Sequence, residues 1–536
     1  MSQDLIKKMF LDENGIFSAS NSDLYHVSTG QALMDMVDHT NTGNMYLRGG
    51  MTSPYTVMAG AQFILPALAD FRFDREFTQW AKSLKRPDGK AKYDPDYLDA
   101  LNGLPFNCQV DMMPDGTITF PGPIGRVTGD PVQAKWVDTI ISDFLRRCSS
   151  VATKAARLTW AVDGKVILAD NSMRRSNDTG GFMTADIAYM CGLVGTSNMT
   201  AAMQGGYTPV GTMDHWYVTA KMTEYFILNP SANPKNPVSN SLAQQHAFRC
   251  FMREHPDYAA LLIDTISVEQ GLRDAIVVLK EFNPTNYQLR IDSGDLARGA
   301  RWCMAELEKA GINTAKQPNV TISLSGGLRA VNLASMVRDH GVPFTTAGIG
   351  GYFQFGGELA QKESDMYEPK ANVTIVTKSG LIQPEEGDAL RMIKLSENPA
   401  KASLPGMLDR VRLYRPDGKI MADVAVDMTR GTYVEGGELT RDIMSQRLDT
   451  ERGKTFAAGT QASQPIASML KGPEIVDESL FDLKKSRERF EREFAALPEG
   501  YKPVNGSHTS CPVGIEREMF LEWKKMITGG QIVSRI

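Results

Sequence analysis

"YQLRIDSGDL", residues 287–296, is the stretch whose reading decides the fold. Tyr287, Leu289 and Ile291 are the residues of a buried strand, and the run ends abruptly in Asp292 and Asp295 around Ser293-Gly294, with Arg290 one step inside. Carboxylates closing an apolar strand require water, a metal or a ligand rich in hydroxyls. The sixteen residues from Leu296, "LARGARWCMAELEKAG", put Leu296, Ala300, Cys303 and Leu307 on one helical face and stop at Gly311. The unit is a strand, a polar tip and a helix.

Working outward, the same unit recurs. "GKVILAD" precedes "TADIAYMCGL", "YAALLIDT" precedes "GLRDAIVVLKEF", "NVTISLSGG" precedes "LRAVNLASMVRDHG", and "FTTAGIGG" closes the series. Near-continuous apolar strands alternating with amphipathic helices predict a parallel sheet covered by helices. Asp264, Asp292, Asp295, Ser325 and Gly348 to Gly351 all follow the carboxyl ends of their strands, the edge where barrels and open sheets alike bind ligands. Periodicity leaves a closed barrel and an open sheet equally open. The first 145 residues, with turn clusters "RPDGK", "MPDGT" and "FPGPIG", read as α+β. Beyond about 395, "RVRLYRPDGKIMADVAVD" reads as a hairpin turning at Asp417-Gly418, and "ESLFDLKKSRERFEREFAAL" as a helix with a solvated charged face.

Bulk composition narrows the classes. The chain has 536 residues, 42% of them hydrophobic and 23% charged, which fits a globular α/β protein. A net charge of -5 argues against nucleic acid or an anionic membrane as the main partner. "MSQDLIKKMF" carries no apolar leader, and "TVMAGAQFILPALA" is too short to span a bilayer, so a cytoplasmic location is expected. Six cysteines form no C-x-x-C pair and seven histidines no H-E-x-x-H, so no metal held by the protein is expected.

Three further stretches carry chemistry. "PVGTMDHWYV" sets His215 between Asp214 and Trp216, in the series of strand tips that bears the aspartates. "NSMRRSND" puts Arg174 and Arg175 after a strand, where paired guanidinium groups suit a carboxylate or phosphate. "SLSGG" and "AGIGGYF" offer backbone N–H groups in turns that admit close approach. Acids for hydroxyls beside amides for phosphate suggest a phosphorylated sugar as ligand.

In this order the residues resemble nicotinate phosphoribosyltransferases. "SDLYHVSTGQA" is similar to the family's N-terminal T-D-L-Y element, "SSVATKAAR" to its helix before the barrel, "GTSN" and "GTMDH" to its Gly-Thr motifs, and "LRIDSGDL" to its R-L-D-S-G-D-L signature. "KLSENPAKASLPG", "RLYRPDGK" and "CPVGIERE" match its C-terminal third. The resemblance implies an irregular α/β barrel over 146–395 and a flanking α+β domain built from 1–145 and 396–536, in a homodimer with a shared active site. It implies transfer of phosphoribosyl from phosphoribosyl pyrophosphate to nicotinate, with Mg2+ on the substrate and ATP hydrolysis coupled through a phosphohistidine. His215 would then be the phosphorylated residue, Thr212 a substrate contact, Arg290 the contact to nicotinate and Asp292 the reader of the ribose hydroxyls. Asp264, Ser325, Gly326 and Arg174 would join the substrate site, and Gly350 and Gly351 would lie under the 5′-phosphate. Tyr25 would stack on the pyridine from the second subunit, and pyrophosphate would fall to Arg175, Lys394 or Lys401. Ser197, where nicotinamide-using relatives carry an aspartate, favours the acid.

The chain departs from the family pattern at several positions. Asn171-Ser172-Met173-Arg174-Arg175 stands where the family has Phe-Gly-x-Arg-Arg, Trp216 replaces a serine, Gly351 a threonine and Leu408 a lysine. Asn171 motivates a second reading, a phosphoribosyltransferase for nicotinamide or another aromatic base. A catalytically silent nucleotide binder is the third, opposed by the joint presence of His215, Arg290 and Asp292.

Overall fold

The computed structural model describes the chain outside residues 1–8, 48–52, 177–180, 257–258, 285, 313–319, 354–371, 378–388, 396–402, 448–451, 505–510 and 536. Two compact units result: Met1–Thr153 with Phe355–Lys502 and Gly506–Ile536, and Lys154–Gln354 with Pro503–Asn505.

The second unit carries the strand-and-helix series. Its strands are β1 (Ile167–Asp170), β2 (Gly195–Thr196), β3 (Thr208–Pro209), β4 (Ala259–Leu262), β5 (Tyr287–Ile291), β6 (Val320–Leu324) and β7 (Thr346–Ile349). They form one sheet in the order β3-β2-β1-β7-β6-β5-β4, with every neighbouring pair parallel. In register, Leu262 faces Arg290 and Arg290 faces Ser323, which brings the three strand tips level. Leu261, Leu289, Ile291, Ile322, Leu324 and Ile349 are buried, as strands covered on both faces require. The longer helices of the series are α1 (Phe182–Met190), α2 (Met199–Gly205), α3 (His215–Leu228), α4 (Pro237–Glu254), α5 (Val268–Phe282) and α6 (Leu296–Lys309), and a short one, Ala330–Ala334, follows β6. Among the described residues no ladder joins β3 to β4, yet side chains at their carboxyl ends meet (below). The sheet is therefore curled into an incompletely closed α/β barrel.

The other unit is α+β and draws on both ends of the chain. One antiparallel sheet runs Glu474–Ile475, Ala467–Lys471, Gln109–Met112, Gly122–Gly129, Thr40–Leu47, Asn372–Thr377, Ala389–Met392 and Val533–Arg535. A second, of six strands, contains the expected hairpin: Leu408–Tyr414 pairs with Ile420–Asp427 across a turn with Gly418 at φ 77°. Val411, Leu413, Val424 and Val426 alternate into a core with Tyr433 and Ile443.

The same hairpin buries charge. Arg410 and Arg412 both donate to Asp423, at 2.7 and 2.9 Å, and Arg412 also donates to Glu493 at 2.6 Å. Glu493 lies on the helix Leu483–Ala496, which keeps the expected solvated charged face, with Arg487 and Glu491 paired at 3.0 Å, while Glu493 turns to the hairpin. Phe490 on it is buried as well. Among the described residues no helix is long and apolar enough to cross a membrane.

Candidate active site

β3 ends at Pro209, and the chain passes through Gly211-Thr212-Met213 to Asp214, whose carboxylate accepts the Tyr217 N–H at 2.8 Å and starts α3. His215 is thus the first residue of a helix, held by the cap. Its Nδ1 lies 3.0 Å from Thr265 Oγ1, and its Nε2 lies 3.8 Å from Asp264 Oδ1 and 4.0 Å from Asp292 Oδ2. Asp264 and Thr265 follow β4, at the opposite edge of the sheet from β3. Arg290 on β5 likewise reaches across, donating from Nη1 to Thr212 Oγ1 at 2.6 Å and to the Met213 carbonyl at 3.0 Å. These contacts bridge the barrel's gap at its carboxyl end.

Asp264 organises the turn after β5. Its Oδ2 accepts the Asp292 N–H at 3.1 Å and the Ser293 hydroxyl, while its buried Oδ1, facing His215, has no hydrogen-bond partner. Gly326, at φ 85°, brings the next strand tip against this turn: a Cβ there would sit 2.0 Å from the Asp292 carbonyl oxygen. Ser325 beside it is buried with its hydroxyl unpartnered, and so is Arg290 Nε. Three buried polar atoms without partners at one edge suit a polar ligand.

The edge continues past β7. A Cβ on Gly348 would meet Ser325 Cβ at 3.6 Å and Asn171 Nδ2 at 2.3 Å, so Asn171 packs where only glycine admits it. Cβ atoms on Gly350 and Gly351 would lie 3.9 and 3.6 Å from Arg175 Cδ. A bare backbone turn with a guanidinium alongside is suited to an anion. Arg174, in the same single-turn 3-10 helix, is exposed.

One residue of this edge escaped the sequence reading. Asp170, buried at the end of β1, accepts the Ser172 N–H at 2.9 Å and the Thr196 hydroxyl at 2.8 Å, and its carbonyl accepts the Ser197 N–H at 2.8 Å. It ties the Asn171–Arg175 segment to the exposed Ser197. The signal was present in "GKVILAD", which ends in aspartate as "ALLID" does.

Other polar tips have structural employment. Asp295 caps α6, accepting the Arg298 N–H at 3.0 Å, so of the two aspartates in "DSGD" only Asp292 faces the site. Asn198 and Ser267 cap α2 and α5 in the same way. Tyr25 and Lys394 belong to the other unit: Tyr25 is exposed beside Lys135, and the Lys394 N–H donates to Ser403 at 2.7 Å. Lys401 lies outside the described residues.

The fold and this edge define a class: an incompletely closed parallel α/β barrel with acids, a histidine, an arginine and a glycine turn gathered at the ligand-binding end of its strands. The chain is similar in sequence to nicotinate phosphoribosyltransferases. It is 27% identical over 334 residues to nicotinate phosphoribosyltransferase pncB2 of Mycobacterium tuberculosis, a match covering 61% of this chain and 65% of that one. The match thus spans just under two thirds of the mycobacterial relative. It is 23% identical over 490 residues to the nicotinate phosphoribosyltransferase of Bos taurus, covering 82% and 86%. Human nicotinic acid phosphoribosyltransferase shares its fold, with a TM-score of 0.69 at 18% identity over 94% of this chain and 99% of that one. The nicotinate-nucleotide pyrophosphorylase of Pyrococcus furiosus is similar in fold at a TM-score of 0.56 and 16% identity, covering 92% and 96%. No protein-family model matches the chain.

Proposed function

We propose that this protein transfers phosphoribosyl from phosphoribosyl pyrophosphate to nicotinate, giving nicotinate mononucleotide and pyrophosphate in NAD salvage, as the names of its relatives suggest. The observation that carries the reading is the convergence of His215, Asp264, Asp292 and Arg290 at one end of the barrel, with Ser325 beside Gly348, two residues before the Gly350–Gly351 turn. In this reading the pyridine nitrogen attacks C1′ of the ribose while the C1′–oxygen bond to pyrophosphate breaks. Positive charge develops on the sugar, and Asp292 and Asp264 stabilise it. The nitrogen needs no base, so the protein's part is to position it. Arg290 meets the ring carboxylate, and the Gly350–Gly351 turn with Arg175 takes the 5′-phosphate. Departing pyrophosphate leaves as the magnesium complex in which the substrate arrives.

The coupling to ATP belongs to the same proposal. Nδ1 of His215 is engaged by Thr265, leaving Nε2 to attack the γ-phosphorus of ATP as the bond to the departing ADP breaks. The first turn of a fourteen-residue helix favours the added negative charge. A cytoplasmic homodimer, with Tyr25 supplied by the second subunit, completes the reading.

A second reading rests on Asn171, an amide on the exposed tip next to Gly348, which suits a different aromatic base. The deciding experiment incubates the purified full chain with phosphoribosyl pyrophosphate and Mg2+, comparing nicotinate and nicotinamide with and without ATP. Mononucleotide from nicotinate, increased by ATP, is the expected result. Product from nicotinamide alone supports the Asn171 reading, and product from neither base turns the test to other aromatic bases and then to a silent binder.

A further inference from the structure

Away from the strand tips, α3 and α4 bring together Glu224, His246 and Cys250. Glu224 Oε2 lies 2.9 Å from His246 Nε2, which lies 3.7 Å from Cys250 Sγ, and one ligand atom from each residue falls within 4.8 Å of the others. His246 and Cys250 are four residues apart on α4 and so share a face. Glu224 reaches them from α3. All three side chains are half-buried, so solvent reaches the cluster.

We propose that these three residues bind a zinc ion, with water in the fourth position. Zinc bonds of about 2.0–2.3 Å at tetrahedral angles hold ligand atoms roughly 3.3–3.8 Å apart. The His246–Cys250 separation already falls in that range, and the Glu224–His246 pair has to open by a few tenths of an ångström. Thiolate and imidazole select zinc over magnesium or calcium, so this site is chemically distinct from any cation that arrives on a phosphate substrate. Lys221 Nζ now lies 3.0 Å from each Glu224 oxygen. A solvent-accessible pair of this kind contributes little to stability, so a metal displaces the lysine readily. On binding, Cys250 releases its proton to solvent and coordinates as the thiolate.

The site would have a structural consequence for α3, whose first residue is His215. Glu224 lies nine residues further on, about 14 Å along the axis, so the ion would not touch the reacting groups. It would clamp α3 to α4 and hold the helix that presents His215. The spacing explains why no sequence motif announced it: two ligands sit on one helix and the third comes from another.

Cys250 is half-buried and the other five cysteines are buried, so thiol chemistry reports on this residue alone. The test uses the full chain stripped with a chelator. Stoichiometric Co2+ should produce thiolate charge-transfer absorption, lost in Cys250→Ser and altered in His246→Gln. One equivalent of Zn2+ should slow alkylation of Cys250 at least about tenfold, and Glu224→Gln should weaken zinc binding by a similar factor. A cobalt spectrum unchanged by Cys250→Ser, or no retention of Zn2+ at micromolar concentration, would overturn the assignment. Circular dichroism of each variant separates lost ligation from lost folding. The result does not depend on whether nicotinate is the substrate.

Discussion

At the scale of single residues, the chemistry turns on which polar side chains are free to meet a ligand. His215 has one ring nitrogen on Thr265 and the other facing two carboxylates. His215→Ala should abolish ATP hydrolysis while leaving slow, ATP-independent mononucleotide formation; an undiminished response to ATP in the variant would sink the phosphohistidine reading. Arg290→Lys keeps the charge but loses the planar fork. Loss of a charge-assisted hydrogen bond should raise KM for nicotinate roughly tenfold to a hundredfold, with a smaller effect on the phosphoribosyl donor. The sequence made these residues legible by position: Arg290 lies one step inside the apolar strand that ends at Asp292, and His215 stands in the same series of strand tips. Strand periodicity alone could not separate Asp264 and Asp292 from Asp295 and Asp214, since a helix cap and a ligand-binding carboxylate occupy equivalent places after a strand. The family resemblance singled out the first two, and the hydrogen bonds show the last two capping helices. Asp170 passed unnoticed although "GKVILAD" ends in aspartate as "ALLID" does, because its work is internal and shows only in its hydrogen bonds.

At the scale of elements, the tips of β5, β6 and β7 must approach closely, and glycine permits it. Gly326 combines a φ of 85° with a Cβ position 2.0 Å from the Asp292 carbonyl. Gly327, at φ 63°, has open space around it. Gly327→Ala should therefore cost only backbone strain, about 1 kcal/mol, and retain most activity. Gly326→Ala has to push the Asp292 turn aside and should lose activity by at least about tenfold beyond that strain, as expected when reacting groups are misplaced. Thermal melts and steady-state rates on the two variants check this, and equal losses would show that strain, not contact, is at issue. The alternation of strand and helix through the barrel was readable from periodicity. The helix α4 was not anticipated, although Asn236 caps it and Pro237 occupies its first position. Its sequence, "PVSNSLAQQHAFRCFMRE", has an apolar face interrupted by Gln244, Gln245 and His246, so periodicity gave little warning. The gap between β3 and β4 was also illegible, because barrel closure depends on pairings between distant segments. The hairpin at Asp417-Gly418 was the opposite case, set by a local turn.

At the scale of the whole molecule, stability rests partly on charges that folding removes from water. Asp423 is fully buried; desolvation alone would raise its pKa, but Arg412 and Arg410 outweigh burial and hold it below the ordinary value. Asp423→Ala would leave two buried guanidinium groups without this carboxylate, and should cost about 3–5 kcal/mol in denaturant titration. Two other buried groups in the same unit give pH dependence of opposite sign. His26 is lowered to about 4, chiefly by burial. Its neutral form is the buried one, so its contribution is complete above its unfolded pKa near 6.5 and is lost as pH falls through 4. Asp115 is raised to about 6, again chiefly by burial, although it accepts the Ala61 and Gln62 N–H groups at 3.0 Å. Its folded form holds a proton that the unfolded chain has released, so stability falls as pH rises from about 4 to 6. Each shift corresponds to about 3 kcal/mol, so over this window the two largely cancel. Relative to the parent, His26→Gln should gain stability by about that amount between pH 6.5 and 4, and Asp115→Asn should lose a similar amount over nearly the same window. Urea unfolding midpoints for the parent and both variants, taken at half-unit pH steps, measure the two slopes. Parallel curves for all three proteins would mean that neither group changes protonation on folding, whereas opposite tilts would assign the compensation to these two side chains.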